Sequence, residues 1–427
     1  MSSGVLKASG GVRRGSTRAS LTIVYAGYFF RYIYLLILIP FYGRVLGAGE
    51  YGRVLAAMSL YQVIWLLIEW GMPAAGGRDI AQKPSLEARR EIYARQISGR
   101  VWTASIFGLT GLVAAYFSQA LSDPYSYGLC AVVMAVISGF NLGWYFLGTL
   151  QFRKTILLEL LGFAINLPAI LLLVKGPEDG IRILEVQIVS GLICTLLAHR
   201  IALRELGWKL DWRGQWRAGA RFVRGNVALF INAGIALVLA GAATYLLSLS
   251  ASPAEVGRYG AADRLVTVGL SLIAPASQVL IGTISSRLGD PARRAEARRL
   301  MRRSLVLAPL AGLVVAATGY ALAPVIVPLI FGSDFDASIE LLRALIFVFP
   351  MALFTQVTTG WVLVPLRQDR SVALISSAGA LLTTGLVVLL APRYSAAGAV
   401  AARLGGYVLM CLISALVLRP LIRQGDL

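Results

Sequence analysis

The stretch EYGRVLAAMSL at Glu50–Leu60 recurs as EVGRYGAADRL at Glu255–Leu265, both copies following the pattern E-x-G-R-x-x-A-A-x-x-L at an offset of 205 residues. The copying extends outward. Glu87-Ala88-Arg89-Arg90 returns as Glu296-Ala297-Arg298-Arg299, an offset of 209, and GLVAA at Gly111–Ala115 returns as GLVVAA at Gly312–Ala317, an offset of 201. Three matches in the same order, with small changes in spacing, describe a duplicated unit whose connecting segments have changed length.

The units are built for lipid. Of 427 residues, 57% are hydrophobic and 14% charged, where a soluble domain carries about a quarter charged. Apolar runs of about 20 residues recur along the chain, each long enough to cross a hydrocarbon core of roughly 30 Å. With no water available to bond the backbone, such runs must be helices. Twelve spans are expected, at about 21–42, 52–73, 99–118, 127–148, 155–174, 181–200, 223–248, 259–284, 304–330, 338–365, 371–391 and 397–418. The run from Leu21 is too long for a signal peptide and lacks a small-x-small cleavage site, so it reads as a retained first helix.

Basic residues set the orientation. The segments holding Lys7 to Arg18, Arg78 to Arg100, Arg153–Lys154, Arg200 to Arg224, Arg287 to Arg303, Arg367–Arg370 and Arg419–Arg423 alternate to one side and carry 30 of the 40 Lys and Arg. The opposite loops SQALSDPYS, GPEDG and FGSDFDAS are short and acidic. Both termini are expected in the cytoplasm. The net charge of +19 then reflects positive-inside topology and anionic membrane lipids rather than nucleic acid.

Six helices separate the two copies of the motif, an even number, so both copies point the same way through the membrane. The expected architecture is all-α: two parallel six-helix bundles, residues 21–200 and 223–418, facing each other across a central cavity. A basic tail (1–20) precedes them, a C-terminal tail (419–427) follows, and an amphipathic linker (201–222) joins them. The linker region, WKLDWRGQWRAGARFVRG, reads as a basic helix lying on the inner leaflet. Pro73, Pro168, Pro275, Pro309 and Pro350 fall inside expected spans, as functional breaks or tolerated kinks.

Charges within spans are the candidates for function. Arg31 lies ten residues into the first span, about 15 Å deep at 1.5 Å per residue, beyond easy snorkelling to either surface. Facing the cavity, its guanidinium would grip a diphosphate through paired hydrogen bonds; the other reading is a structural ion pair. Glu69, in the inner third of the second span, is a coupling-ion candidate or a partner for Arg31. Asp263 is a second coupling candidate, and Arg264 beside it a substrate contact; sequence neighbours occupy different helix faces. Arg53 and Arg258, equivalent in the repeat, stand at the outer mouth as receivers of the emerging diphosphate or as headgroup anchors. Glu340 and Arg343 fit a neutralised pair, Arg403 is a further cavity candidate, and Glu159 is shallow enough to be interfacial.

Several apparent motifs are set aside. Gly47-x-Gly49-x-x-Gly52 matches a dinucleotide fingerprint but lacks the strand and βαβ unit that fingerprint needs. Gly139-x-x-x-Gly143 fits close helix packing, and the aromatics of GWYFLG fit membrane-interface anchoring or stacking on sugars. Cys130, Cys194 and Cys411 imply no disulfide framework. His199 is the only histidine, which argues against a His-based metal site. No P-loop occurs and no cofactor is expected. A membrane-bound polymerase, ligase or glycosyltransferase would need an acidic or histidine-bearing site on a sizeable loop, and the outer loops are about ten residues or fewer.

At this level RVLGAGEYGRVLAAMSL (Arg44–Leu60), LIEWGMPAAGGRDIA (Leu67–Ala81), EVGRYGAADRL and YSAAGAVAARLGGYV (Tyr394–Val408) resemble bacterial polysaccharide flippases, the O-antigen and exopolysaccharide branch of the multidrug/oligosaccharidyl-lipid/polysaccharide (MOP) exporter superfamily. The resemblance spans the chain in length, span number and repeat, although each motif is loose. It implies a multi-pass protein of the bacterial inner membrane that carries an undecaprenyl-diphosphate-linked oligosaccharide from inner to outer leaflet by alternating access. It also implies polysaccharide polymerase and chain-length proteins as partners. A cation-coupled multidrug exporter and a lipid II flippase are the alternatives within the superfamily.

Overall fold

A computed structural model describes residues 14–83, 85–231 and 235–423, and among them every regular element is helical. The first half comprises α1 (Arg14–Glu69), α2 (Met72–Gln82), α3 (Leu86–Tyr116), α4 (Ser126–Gly139), α5 (Gly143–Gly148), α6 (Phe152–Leu173) and α7 (Gly180–Glu205). Then follow α8 (Gln215–Gly225) and the single turn α9 (Val227–Leu229). The second half comprises α10 (Ile235–Ser248), α11 (Pro253–Ser271), α12 (Ala274–Gly289), α13 (Arg294–Phe331), α14 (Ser338–Leu345), α15 (Val348–Gln356) and α16 (Asp369–Arg423). Nine helical stretches among the described residues are long and apolar enough to cross a membrane.

Two of the helices are double. α1 has 56 residues, about 84 Å at 1.5 Å each, more than twice the hydrocarbon thickness. It breaks at Gly47 (φ 68, ψ 175), a conformation that glycine reaches without a Cβ clash. α16 breaks in the same way at Ser395 (φ 48). In the second copy of the repeat, the position equivalent to Gly47 is Ser252, which caps α11: its side chain accepts from the Glu255 N–H at 3.4 Å, with Pro253 following. A serine cap, a first-turn proline and a glutamate three residues on form a helix-start signature. The two copies thus stop and restart a helix at one equivalent place by different chemistry.

Elsewhere tertiary contacts override the hydropathy pattern. The second expected span ends at Glu69 rather than residue 73, because Trp70 and Gly71 both take positive φ and Pro73 starts α2. The segment from Arg78 to Arg100, expected as a loop, is helical in α2 and α3, with Ser85 capping α3. The fourth span breaks at residues 140–142, so Gly143 opens α5, while a Cβ on Gly139 would meet Ile68 of α1. The eighth breaks before Pro275, which opens α12. Pro168 and Pro309 remain inside helices, where neighbouring groups tolerate them.

The halves meet along α1 and α11. One core continues through both: Leu38, Val54 and Leu60 of α1, Tyr259 and Val266 of α11, and Val327 and Phe331 of α13 are all buried. At the end of the bundle that carries the repeat, Ser118 Oγ lies 2.7 Å from Ser248 Oγ, Gln119 N–H donates to Ser248 O at 2.9 Å, and Tyr245 OH donates to Ala114 O at 2.7 Å. Outward faces carry exposed Leu109, Leu172, Val314 and Leu389, as a lipid-facing surface requires.

Candidate functional site: a cavity in the first half closed by an arginine of the second

A cavity of about 620 Å³ lies among α1, α4, α6 and α7, and α11 contributes Arg264 to its wall. Tyrosines from α1 line one side: Tyr34, Tyr42, Tyr51 and Tyr61. Asn141, Asn166 and Gln187 face them with carboxamides. Ser190 Oγ donates to Asn166 Oδ1 at 2.8 Å, and Tyr61 OH donates to Ser138 Oγ at 3.2 Å while its ring stacks on Trp65. Tyr42 OH lies beside the Gln187 carboxamide, and the buried Thr155 Oγ1 on the cavity wall has no hydrogen-bond partner among the described residues.

Only two charged residues line this cavity among those described, Glu159 and Arg264. Glu159, expected to be shallow, is exposed on the chamber wall. Arg264 has neither an ion pair nor a hydrogen bond among the described residues, while it lies within electrostatic range of Tyr34, Tyr42 and Tyr51. Its neighbour Asp263 faces the other way, in an ion pair with Arg403 and within 3.4 Å of Thr267 Oγ1. Arg403, a cavity candidate by sequence, is therefore neutralised beside α11.

The side chain of Arg31 lies outside the described residues. Arg53 and Arg258 are bound to their own repeat glutamates: Arg53 to Glu50, and Arg258 to Glu255 at 2.9 Å. Glu340 pairs with Arg343 at 2.6 Å. None of these three pairs lines the cavity.

Glu69 lies within electrostatic range of Arg100, the last residue of a basic stretch and the second of the third expected span. Arg100 is fully buried, donates to the Gly139 carbonyl at the α4–α5 break, and sits 5.8 Å over the Trp144 ring. Trp144, Tyr145 and Phe146 of GWYFLG are buried in a cluster with Ile80, Ile92 and Tyr93 rather than at a membrane interface, and Phe146 also lines the cavity. His199 is held by the Tyr93 hydroxyl at 2.5 Å and the Phe140 carbonyl at 3.0 Å. α8 packs across α3 so closely that a Cβ on Gly219 would meet Gly99 N at 2.7 Å; its Arg217, Arg221 and Arg224 are exposed. No group of three or more His, Cys, Asp or Glu side chains gathers among the described residues.

The carboxamides and hydroxyls of the cavity escape a search for charges. Asn166 and Gln187, uncharged polar residues inside apolar runs, were the available signal.

Two helical halves, with a polar chamber in the first that an arginine of the second reaches, define a multi-pass membrane protein, and its fold is similar to those of solved MOP-superfamily proteins. Similar solved structures are the lipid II flippase MurJ in an inward closed conformation (TM-score 0.69, 11% identity, 92% of this chain and 87% of that one) and an inward-facing multidrug resistance MATE family transporter of the MOP superfamily (TM-score 0.65, 14% identity, 91% and 96%). A putative O-antigen transporter of Shigella dysenteriae is 20% identical over 361 residues, 82% of this chain and 87% of the relative. The polysaccharide biosynthesis protein family model matches residues 18–287, and the chain belongs to that family.

Proposed function

We propose that this protein is a flippase that carries a polyprenyl-diphosphate-linked oligosaccharide, an O-antigen or exopolysaccharide repeat unit, across the bacterial cytoplasmic membrane. The observation that carries this reading is Arg264: a guanidinium with no ion pair or hydrogen bond among the described residues, supplied by the second half to a chamber walled by the first. A planar fork of donors suits a diphosphate, and tyrosine, asparagine and glutamine side chains suit sugar hydroxyls. Arg31, singled out by its depth in the first expected span, would add a second cation. The polyprenyl tail stays in lipid while the head crosses between halves.

The breaks at Gly47 and Ser395 make α1 and α16 two crossings each, which raises the nine membrane-length stretches among the described residues to eleven. Counting α10 as a further crossing supports twelve, with both termini in the cytoplasm. The repeat then lies on the outer side, and the exposed arginines of α8 face anionic lipid. Polymerase and chain-length proteins would take the product outside. Rocking of the halves exposes the head outside, and an anion leaving a negative interior gains about 2.3 kcal/mol per charge per 100 mV. A multidrug exporter of the same fold would need an acid free to exchange a cation. Asp263 is held by Arg403, which leaves Glu69 from the sequence candidates and Glu159 on the chamber wall.

The test is a strain lacking the gene, complemented with wild type, Arg264→Ala or Arg264→Lys, with lipid-linked glycan assigned to a leaflet by a lectin that cannot cross the membrane. Inner-leaflet accumulation cured by wild type, not by Arg264→Ala, and partly by Arg264→Lys is expected. Normally sided glycan in the deletion strain would refute the reading.

A further inference from the structure

A second polar chamber, of about 310 Å³, lies within the second half between α12, α15 and α16. No charged residue lines it among those described, and its polar wall is Ser277, Thr355, Gln356, Thr359, Ser376 and Tyr407. The hydrogen bonds of this wall are unevenly spent. Ser277 Oγ accepts from Trp361 Nε1 at 2.8 Å and from Gln356 Nε2 at 3.0 Å. With its lone pairs occupied, the Ser277 proton is free to donate. Thr355 and Thr359 point their protons at backbone carbonyls of Ala352 (3.0 Å) and Thr355 (2.8 Å), so their oxygens remain as acceptors. The hydroxyls of Ser376 and Tyr407 make no hydrogen bond to the described residues.

The backbone here is distorted as well. After α15 the chain passes into a π-helix, Val357–Leu363, in which Val364 N–H reaches back five residues to Thr359 O at 3.0 Å. Such bulges cost hydrogen-bond geometry and concentrate at functional sites. Leu270, at the end of α11, borders this chamber, and Arg264 lies six residues earlier on the same helix, about 9 Å by rise.

Resting on the flippase reading above, the geometry points to this chamber as a subsite for one neutral sugar of the glycan, reached while the diphosphate is held at Arg264. A mixed set of donors and acceptors without charge is what sugar hydroxyls require. It brings no charge to balance a phosphate or a metal cation, and a lipid tail would leave the free hydroxyls unsatisfied at a cost. The size admits one ring rather than a whole repeat unit. The first half thus grips the part common to all such substrates, and the second half reads the part that differs.

The test measures binding by the full-length protein in detergent of farnesyl diphosphate, and of the same lipid diphosphate carrying glucose, galactose or N-acetylglucosamine. Wild type is expected to bind at least one glycosylated probe about tenfold tighter than the bare one. Gln356→Leu, and Ser376→Ala combined with Tyr407→Phe, should erase that advantage while leaving bare-probe affinity unchanged, which also reports correct folding. Arg264→Ala should weaken every probe. Equal binding of all probes by wild type, or an advantage that survives both variants, would overturn the subsite and leave the diphosphate reading standing. Failure of wild type to bind any probe would overturn that reading and the subsite with it.

Discussion

Gly52 and Gly257, the equivalent glycines of the two repeat copies, meet backbone to backbone where α1 crosses α11. A Cβ on Gly52 would overlap the Pro253 carbonyl and lie 2.7 Å from Gly257 N; one on Gly257 would overlap the Ala48 carbonyl and lie 3.1 Å from Gly52 N. The repeat is thus self-complementary: each copy is the surface on which the other packs. Its glutamates act within their own halves. Glu50 takes Arg53 and the Tyr127 hydroxyl, and Glu255 takes Arg258 and the Ser395 hydroxyl at 3.3 Å. Glycine joins the halves while Glu-Arg stiffens each one, a division suited to two rigid bodies that part at one seam.

If that seam closes the outer side, Gly52→Val or Gly257→Val should hold it open. Cys194 lines the cavity, so after replacement of Cys130 and Cys411 by alanine it reports access. Labelling of Cys194 by a membrane-impermeant maleimide from outside is expected to rise about tenfold in the valine variants, a shift of population worth roughly 1.4 kcal/mol. Unchanged labelling in inserted protein would show that the seam is not the outer gate.

The glutamate braces predict a stability effect rather than a binding one. Glu50→Gln and Glu255→Gln should each lower stability by about 1 kcal/mol, the scale for partly exposed ion pairs, and their losses should add because the braces belong to different halves. Thermal unfolding in detergent measures this. Diphosphate affinity should stay at the wild-type value in both.

The repeat was legible in the sequence because its roles are local: a glycine, an ion pair three residues apart, and a helix restart. Apolar runs were legible because lipid enforces them. The role of Arg100 was not, since a hydropathy window places it at the very edge of the third span and cannot see Gly139 and Trp144 folding over it. The helix break at residues 140–142 lies in an apolar stretch that little besides Asn141 interrupts, so packing reveals it, whereas Pro275 marked the break at 272–273 without separating it from a tolerated kink. Of the charges singled out, Arg264 and Asp263 were separable in principle by helix geometry, but which faced the cavity depended on where Arg403 of a distant helix arrived.

The pair Asp263–Arg403 sits beside α11 with both side chains largely covered. Removing one partner leaves an uncompensated charge, so Asp263→Asn or Arg403→Met alone should cost about 3 kcal/mol, and the double variant less than the sum. A double-mutant cycle on thermal stability checks it. Additive losses would mean that the two charges do not support each other, and Asp263 would return as a coupling candidate.

Arg31 supplies a sharper test of the cationic path, because its place on α1 is independent of Arg264. Arg31→Ala should reduce glycan export at least about tenfold while the protein still inserts, as expected for loss of charge-assisted hydrogen bonds. Arg31→Lys should rescue it only in part, since an ammonium keeps the charge but not the fork. Normal export by Arg31→Ala would remove this residue from the path.

Glu69 and Arg100 separate a coupling role from a structural one. With Arg100 fully buried and Glu69 within its electrostatic range, Arg100→Leu leaves a covered carboxylate without its cation and opens the Gly139 carbonyl, so a loss of about 3 kcal/mol is expected. Glu69→Gln keeps the shape and removes only the exchangeable charge. If Glu69 carries the coupling ion, flipping in vesicles should persist in Glu69→Gln under a membrane potential but lose its response to an imposed proton or sodium gradient, with little change in melting temperature. A purely structural Glu69 gives the opposite pattern: the melting temperature falls as it does for Arg100→Leu, and the gradient response per folded molecule is kept.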